Sequence, residues 1–325
     1  MVIDGPRAAL IHHPWEHARS FYCSRNRANG IFHNKADFGV FSAVLEALSV
    51  VHSPSEPLIL FAAGLFDGSD LLRLVRMPWW RRNASRVYGW EIQWAWCHSA
   101  KVGLSRHPEV RVSCTQGVSD APGVLQMNGQ RQTAGLYDCW REWGCGKGRT
   151  QEVPVVRWAD VLEEQALRRV DYAMLDVEGS EVRAIMGMNL PQLARRFPII
   201  QYELGATWAD RRHATNVTQV EMARFLEAHG YILFLIGDAT YHVCSERPKH
   251  CNGSLPLLLP VDASFFRDTH LAGAGCTRWA PHSRPNVVGG NALAVHTSTL
   301  YAGPIAAALR GVLALLTSRA EGVVA

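Results

Sequence analysis

The sequence predicts an α/β fold built on a doubly wound, mostly parallel sheet. Two observations carry that prediction. Continuous apolar runs, LILFAAG (58–64), VDYAMLD (170–176) and FPIIQYEL (197–204), suit strands buried on both faces. Segments with helical spacing alternate with them, which makes βαβ units and hence a parallel sheet.

Taken in order, residues 1–35 mix His, Arg, Asn and aromatics without a period and read as an irregular arm. Residues 36–51 place Phe38, Phe41, Val44, Leu45 and Leu48 on one helical face, and HSPSEP (52–57) breaks the pattern. LILFAAG is the first strand and GSDLLRLVRM (68–77) its helix. RVYGWE (86–91) and IQWAWCHSAKVGL (92–104) repeat the unit. VRVSCTQGVS (110–119) is a third strand, closed by the turn DAPG (120–123). An irregular Gly-, Cys- and Trp-rich insert leads to the strand-like EVPVVRW, and WADVLEEQAL (158–167) is helical. VDYAMLD is followed by the helix EGSEVRAIMGM (178–188), and FPIIQYEL by the helix TQVEMARFLEAHG (218–230), which ends at a Gly. YILFLIG (231–237) and TYHVCS (240–245) predict a closing antiparallel hairpin. Beyond residue 245 the pattern fades, PLLLPV (256–261) being the one firm apolar run. The expected domains are an N-terminal arm and helix (1–54), a body (55–245) and a poorly patterned C-terminal extension (246–325).

Composition excludes several classes. With 48% hydrophobic residues and a formal charge of +4 over 325 residues, the chain is neither disordered nor basic enough to point to nucleic acid. No signal peptide is visible in the first twenty residues. The apolar stretch GPIAAALRGVLALLTS (303–318) is cut by Arg310 and is shorter than a bilayer span. A cytoplasmic location is the expectation. Eight cysteines show no C-x-x-C spacing, so no zinc site is expected. They read as reduced buried thiols, with Cys139–Cys145 and Cys244–Cys251 as the pairs able to close short loops in an oxidising compartment. Sequons at Asn83, Asn216 and Asn252 keep a secretory route open. The cluster Trp79, Trp80, Arg81 and Arg82 reads as packed tryptophans with solvated arginines. Tyr137, Trp140 and Trp143 in the insert can line an acceptor pocket.

Ligands of open parallel sheets bind at the carboxyl ends of the strands. Gly64 and Gly68 follow the first strand, where they permit a tight turn or a close backbone approach to a ligand. Glu91 ends the second strand, at the place where an acid accepts hydrogen bonds from ribose hydroxyls. Ser119 and Asp120 follow the third. The strongest signal is VDYAMLDVEGSEV (170–182), which delivers Asp176, Glu178 and Glu181 to one strand end. So many carboxylates there are costly without a use. A helix start at Ser180 and Glu181, capped by Asp176, accounts for only part of them. Glu203 ends the next strand.

The segment V-D-Y-A-M-L-D-V-E-G-S-E resembles the hallmark strand I-D-x-x-K-I-D-V-E-G-x-E of the FkbM-type methyltransferases, and the surrounding order of residues 55–245 is similar. The resemblance implies a seven-stranded Rossmann-like methyltransferase fold and S-adenosylmethionine as cofactor, with methyl transfer to an oxygen of a sugar or another small molecule. Carried over residue by residue, it implies Asp176, Glu178 and Glu203 as catalytic and Gly64, Asp67, Gly68, Glu91, Ser119 and Asp120 as cofactor-binding. His213 is a weaker candidate base. Mg²⁺ between Asp176 and Glu203 is an alternative that lacks a third ligand, so no metal is expected. The chain departs from the family's first loop, D-x-G-A-N-x-G, in having A-A-G-L-F-D-G (62–68). Ala62 replaces the acid and Phe66 the Asn, with Asp67 or Asp70 as substitutes. Met174 stands where the family has Lys. The altered loop motivates a second expectation, a non-catalytic binding protein on the same fold. A nicotinamide-dependent dehydrogenase is disfavoured, because no G-x-G-x-x-G follows the first strand.

Overall fold

A computed structural model of the chain describes residues 37–52, 56–80, 85–127, 151–204, 217–238, 256–266, 291–301 and 303–324. In chain order the elements are α1 (Asp37–Val51), β1 (Ile59–Ala63), α2 (Ser69–Val75), β2 (Arg86–Glu91), α3 (Trp94–Gly103), β3 (Val110–Cys114), β4 (Gly117–Val118), β5 (Gly123–Met127) and β6 (Gln151–Val156). They continue with α4 (Trp158–Glu164), β7 (Tyr172–Leu175), α5 (Glu181–Met186), α6 (Leu190–Leu193), β8 (Ile199–Glu203), α7 (Gln219–Ala228), β9 (Tyr231–Asp238), β10 (Pro256–Val261), β11 (Asn291–His296) and α8 (Gly303–Val324). Two compact units result, one comprising 52–203 and 210–216, the other 1–51, 204–209 and 217–325.

The first unit holds the parallel strands in the order β8-β7-β1-β2-β3. From β1 the chain runs outward to β2 and β3, then returns to β7 on the other side of β1 and on to β8. The strand order therefore reverses between β1 and β7, and such a switch point opens a crevice at the carboxyl ends of the strands. β1 is buried along its whole length, as its apolar run predicts. Phe61 at its centre is fully buried and meets the rings of Tyr88, Trp90, Trp158 and Phe197 edge-on. Edge contacts of this kind add to the burial of the aromatic area and fix the sheet against its helices.

Residues 110–119 do not form one strand. β3 stops at Cys114, Thr115 takes a left-handed φ of 54°, and Gly117–Val118 pairs with β6 in a small second sheet of order β4-β6-β5. Met127, Val153 and Val155 form its own apolar cluster. A disulfide joins Cys97 of α3 to Cys114 at the end of β3. Reduced buried thiols are thus overturned for this pair, while Cys139, Cys145, Cys244 and Cys251 lie outside the described residues. Local spacing could not reveal the pair, because it is the βαβ crossover that brings α3 onto β3. Trp79 and Trp80 are buried, and Trp80 Nε1 donates to Glu109 at 3.3 Å, so they pack as expected. Arg81, Arg82, the 131–150 insert and the three sequons fall outside the described residues.

The second unit pairs β9 antiparallel with β10 on one side and β11 on the other. The antiparallel ending is as expected, but its partners are not. Segment 240–245 lies outside the described residues, and both edges of β9 are taken by strands from beyond residue 245. With β10 the large-sheet strands number eight rather than seven. A fading hydrophobic pattern concealed β11, because NALAVH carries two alanines and the polar Asn291 and His296, yet is buried throughout. α1 buries Phe41, Val44, Leu45 and Leu48 and packs on α8 and β10. α8 contains Arg310, which donates to the Leu300 carbonyl. Among the described residues no helix is long and apolar enough to cross a membrane.

Candidate active site

The carboxyl ends of β1, β2, β7 and β8 meet at the switch point, and every element there is shaped by a neighbour. Asp176 N–H donates to Ala63 O at 3.0 Å, which carries the β1–β7 pairing one residue past the strands. Gly64 follows with φ +80°, and a Cβ on it would lie 1.5 Å from the Asp176 carbonyl oxygen. Only glycine allows this approach. Gly64 therefore admits the Asp176 backbone, a packing role beside the tight turn and the ligand approach expected of it. Gly68 is likewise left-handed, at φ +75°, as N-cap of α2, and its missing side chain makes room for Ala100 of α3.

Between the two glycines, Phe66 occupies a left-handed conformation at φ 50°. This is uncommon for a bulky residue and costs about 1 kcal/mol or more. Two contacts hold it: its N–H donates to Glu91 Oε2 at 2.8 Å, and its ring lies 4.0 Å from that of Trp96. Asn tolerates the left-handed region well, so Phe66 keeps the backbone that an Asn at this place would favour while changing the side chain. The sequence shows the replacement of Asn but neither the backbone bond nor the Trp96 contact. A positive φ in a phenylalanine leaves no mark in the sequence.

Glu91 is 4% exposed. Its second oxygen accepts from Gln93 N–H at 2.8 Å. Burial pushes its carboxyl above the ordinary glutamate range, against the pull of its amide donors at Gln93, Phe66 and Ile92, and the Asp176 charge adds to the rise. Asp67 Oδ1 accepts from Ser69 N–H in a local turn, and Asp70 pairs with Arg73 in an exposed bridge. Ser119 and Asp120 are engaged with each other and with α5. The Ser119 hydroxyl donates to Asp120 Oδ1 at 2.8 Å, and Arg183 lies 3.5 Å from the same oxygen.

Three predicted catalytic acids are brought together. Asp176, Glu178 and Glu203 each offer a carboxylate oxygen within 4.8 Å of the other two. Carboxylates this close oppose one another's ionisation. Burial holds the Asp176 carboxyl above the usual aspartate range, opposed by the Glu203 side chain and reinforced by the Asp70 charge. Burial, with the Asp176 charge beside it, pushes Glu178 up to about 7. Glu178 has φ 52°, again left-handed, and Gly179 follows at φ 100°. Asp176 does not cap α5, as one sequence reading had it. Ser180 is the N-cap and makes no side-chain cap bond. His213 lies outside the described residues.

These residues fit S-adenosylmethionine on the nucleoside side: a buried acid, pre-oriented by two backbone amides, stands at the end of the strand next to the switch point. On the methionine side the fit rests on Asp67 and the carboxylate cluster, since Ala62 is buried in β1 opposite Gly89 and Met174.

The sheet is doubly wound, an acid ends its second strand, and three carboxylates gather across the switch point. Residues 130–233, from the insert through β8 and α7 into β9, match the family model described as the methyltransferase FkbM domain. The resemblance carried by V-D-Y-A-M-L-D-V-E-G-S-E thus holds over a wider span. No curated protein matches the chain. Among solved structures, the methyltransferase FkbM from Methylobacillus flagellatus KT is similar at 13% identity and TM-score 0.36, covering 56% of this chain and only 40% of its own. An O-methyltransferase from Bacillus cereus in complex with SAH is similar at 11% identity and TM-score 0.30, covering 69% and 83%. A precorrin-6y C5,15-methyltransferase from Geobacter metallireducens GS-15 gives 13% and 0.29, covering 60% and 76%.

Proposed function

We propose that the chain transfers a methyl group from S-adenosylmethionine to a hydroxyl oxygen of a carbohydrate or another small molecule, with the Asp176–Glu178–Glu203 cluster as the proton acceptor. The observation that carries the reading is the gathering of Asp176, Glu178 and Glu203 at the switch point, with carboxylate oxygens within 4.8 Å of one another. When bound, S-adenosylmethionine supplies an electrophilic sulfonium methyl, so the chain's task is to align the hydroxyl and remove its proton. Glu91 accepts from ribose hydroxyls while Phe66 and Gln93 hold it in place. A hydroxyl oxygen is a poor nucleophile until its proton leaves. As its bond to the methyl carbon forms and the methyl–sulfur bond breaks, the proton passes to a carboxylate of the cluster. Glu178 is well matched to that task, because a base poised near neutrality combines ionisation with proton affinity. The rate of transfer is then expected to rise with pH through about 7, as Glu178 loses its proton.

Calorimetric titration of the protein with S-adenosylmethionine tests the reading. Saturable heat, weakened by Glu91→Ala, is expected. Absence of binding heat at high cofactor concentration overturns it in favour of a non-catalytic protein on the same fold.

A further inference from the structure

Glu181 is the most deeply buried acid near the site, with no exposed surface at all. It opens α5 rather than ending a strand. Its side chain turns back over the preceding residues, where Oε1 accepts from Val177 N–H at 2.9 Å and Oε2 from Gly179 N–H at 3.0 Å. The two donors flank Glu178, the residue held in a left-handed backbone. We propose that Glu181 is a positioning residue: by accepting from both amides it locks the turn 177–180 and holds Glu178 in the conformation that sets its carboxylate beside Asp176 and Glu203. The functional meaning of that lock rests on the proposed role of the carboxylate cluster.

The choice of side chain follows from the donors. Two converging N–H groups need two acceptors on one group. A carboxyl keeps an acceptor lone pair on both oxygens whether ionised or protonated, since the hydroxyl proton can turn away from the amide, whereas the nitrogen of a glutamine amide accepts nothing and would face an N–H. Aspartate has one methylene fewer with which to fold back from the first turn of α5. The cost of burying the acid is visible: burial pushes Glu181 up to about 8 against the pull of its own amide donors, with the Asp176 and Glu178 charges adding to the rise. An ordinary helix start does not require this, because Ser, Thr, Asp or Asn at the N-cap stabilises a helix at the surface. A left-handed glutamate is itself strained by about 1–2 kcal/mol, and such strain persists only where the surroundings over-determine it. The Glu181 clamp supplies that over-determination.

A thermodynamic cycle on the folded protein tests this without cofactor or acceptor. Glu178→Ala and Glu178→Gly both remove the carboxylate, but only Gly accepts a left-handed backbone without strain. With Glu181 present, the Gly variant is expected to exceed the Ala variant roughly five- to thirtyfold in folding equilibrium constant, before the chain entropy of Gly is counted. That entropy acts equally in both backgrounds and cancels in the cycle. With Glu181→Ala the advantage of Gly is expected to vanish, because residue 178 is free to leave the left-handed region. If Glu181→Ala does not fold, Glu181→Gln, which keeps the size and one acceptor, is expected to reduce the advantage. An equal Gly advantage in the Glu181 and substituted backgrounds overturns the proposal and leaves Glu181 as a general core residue. Failure of the parent protein to bind S-adenosylmethionine while the coupling is observed would sink the functional reading alone.

Discussion

β7 begins and ends beside an aspartate, and the two are treated in opposite ways. Asp171, at the amino end, is 3% exposed. One oxygen lies 2.6 Å from Arg169 Nε and the other accepts from Ile59 N–H at 2.8 Å. His52 Nε2 stands 2.6 Å from the Arg169 guanidinium. The same nitrogen lies 3.4 Å from Asp171 Oδ1. The cluster sets one acid against one base, with an imidazole between them. Asp176, at the carboxyl end, has Glu178 and Glu203 within 4.8 Å and Glu181 close enough to feel its charge. The amino end is electrically closed. The carboxyl end gathers carboxylates that oppose one another's ionisation, which stores unfavourable energy where a cationic donor and an acidic hydroxyl would relieve it. The sheet is neutralised at one end and holds crowded acids at the other, where the proposed chemistry would take place.

The widest effect is expected from removing charge at the crowded end. Asp176→Asn should lower methyl transfer by about 10²–10⁴-fold while leaving thermal stability unchanged or raised, since it relieves a crowded acid. Single-turnover transfer of labelled methyl, read beside a melting curve, checks both parts. Retained turnover would remove Asp176 from the chemistry. Asp171→Ala should do the reverse, costing about 1–3 kcal/mol, chiefly by stranding the buried Ile59 N–H, since Arg169 is partly exposed. Denaturant midpoints measure it, and the Kd for S-adenosylmethionine of the remaining folded protein should not change.

A covalent tie also belongs to the crowded end. The disulfide joins positions separated by 17 in sequence and secures α3 to β3, near the Glu91 corner. Thr115, next to Cys114, donates its N–H to the Glu91 carbonyl at 2.8 Å. Closing a loop of this size is worth about 3 kcal/mol. The paired replacement Cys97→Ser with Cys114→Ser is expected to lower stability by that amount, and peptide mapping under non-reducing conditions should recover the 97–114 link. Recovery of two free thiols from protein made in an oxidising compartment would contradict it.

The two ends differ as much in how far the sequence reveals them. β1, β2, β7 and β8 were legible because strands buried on both faces must be apolar throughout. The acids Asp176, Glu178 and Glu203 were legible because they interrupt those runs at their ends. Their proximity followed from parallel pairing alone. Asp171 drew no attention, because an acid before a strand is ordinary and its partners, Arg169 and His52, are identified only by the fold. The left-handed Phe66 and Glu178 were equally hidden. Steric preference argues against both, and they exist because tertiary contacts with Trp96, Glu91 and Glu181 outweigh it. β11 was obscured because its burial comes from pairing beside β9 rather than from a strong apolar pattern, whereas β10 showed as the apolar run PLLLPV and only its pairing with β9 was hidden.

The comparison can be sharpened by pH, with the smallest effect. Glu178 and Glu181 are raised to about 7 and about 8 in the folded chain from an ordinary 4.5. The folded state therefore binds more protons than the unfolded state between those limits. The stabilising contribution is full below about 4.5, declines as pH rises and is lost once pH passes about 8. A lower Tm at pH 9 than at pH 5.5 is expected, by a few degrees for each kcal/mol lost. Glu181→Gln should flatten the slope, since it removes the higher of the two titrations. A slope left unchanged by Glu178→Gln and Glu181→Gln together would remove these two acids from the pH dependence, whereas a reduced slope is what the raised Asp176 and Glu91 carboxyls would leave behind.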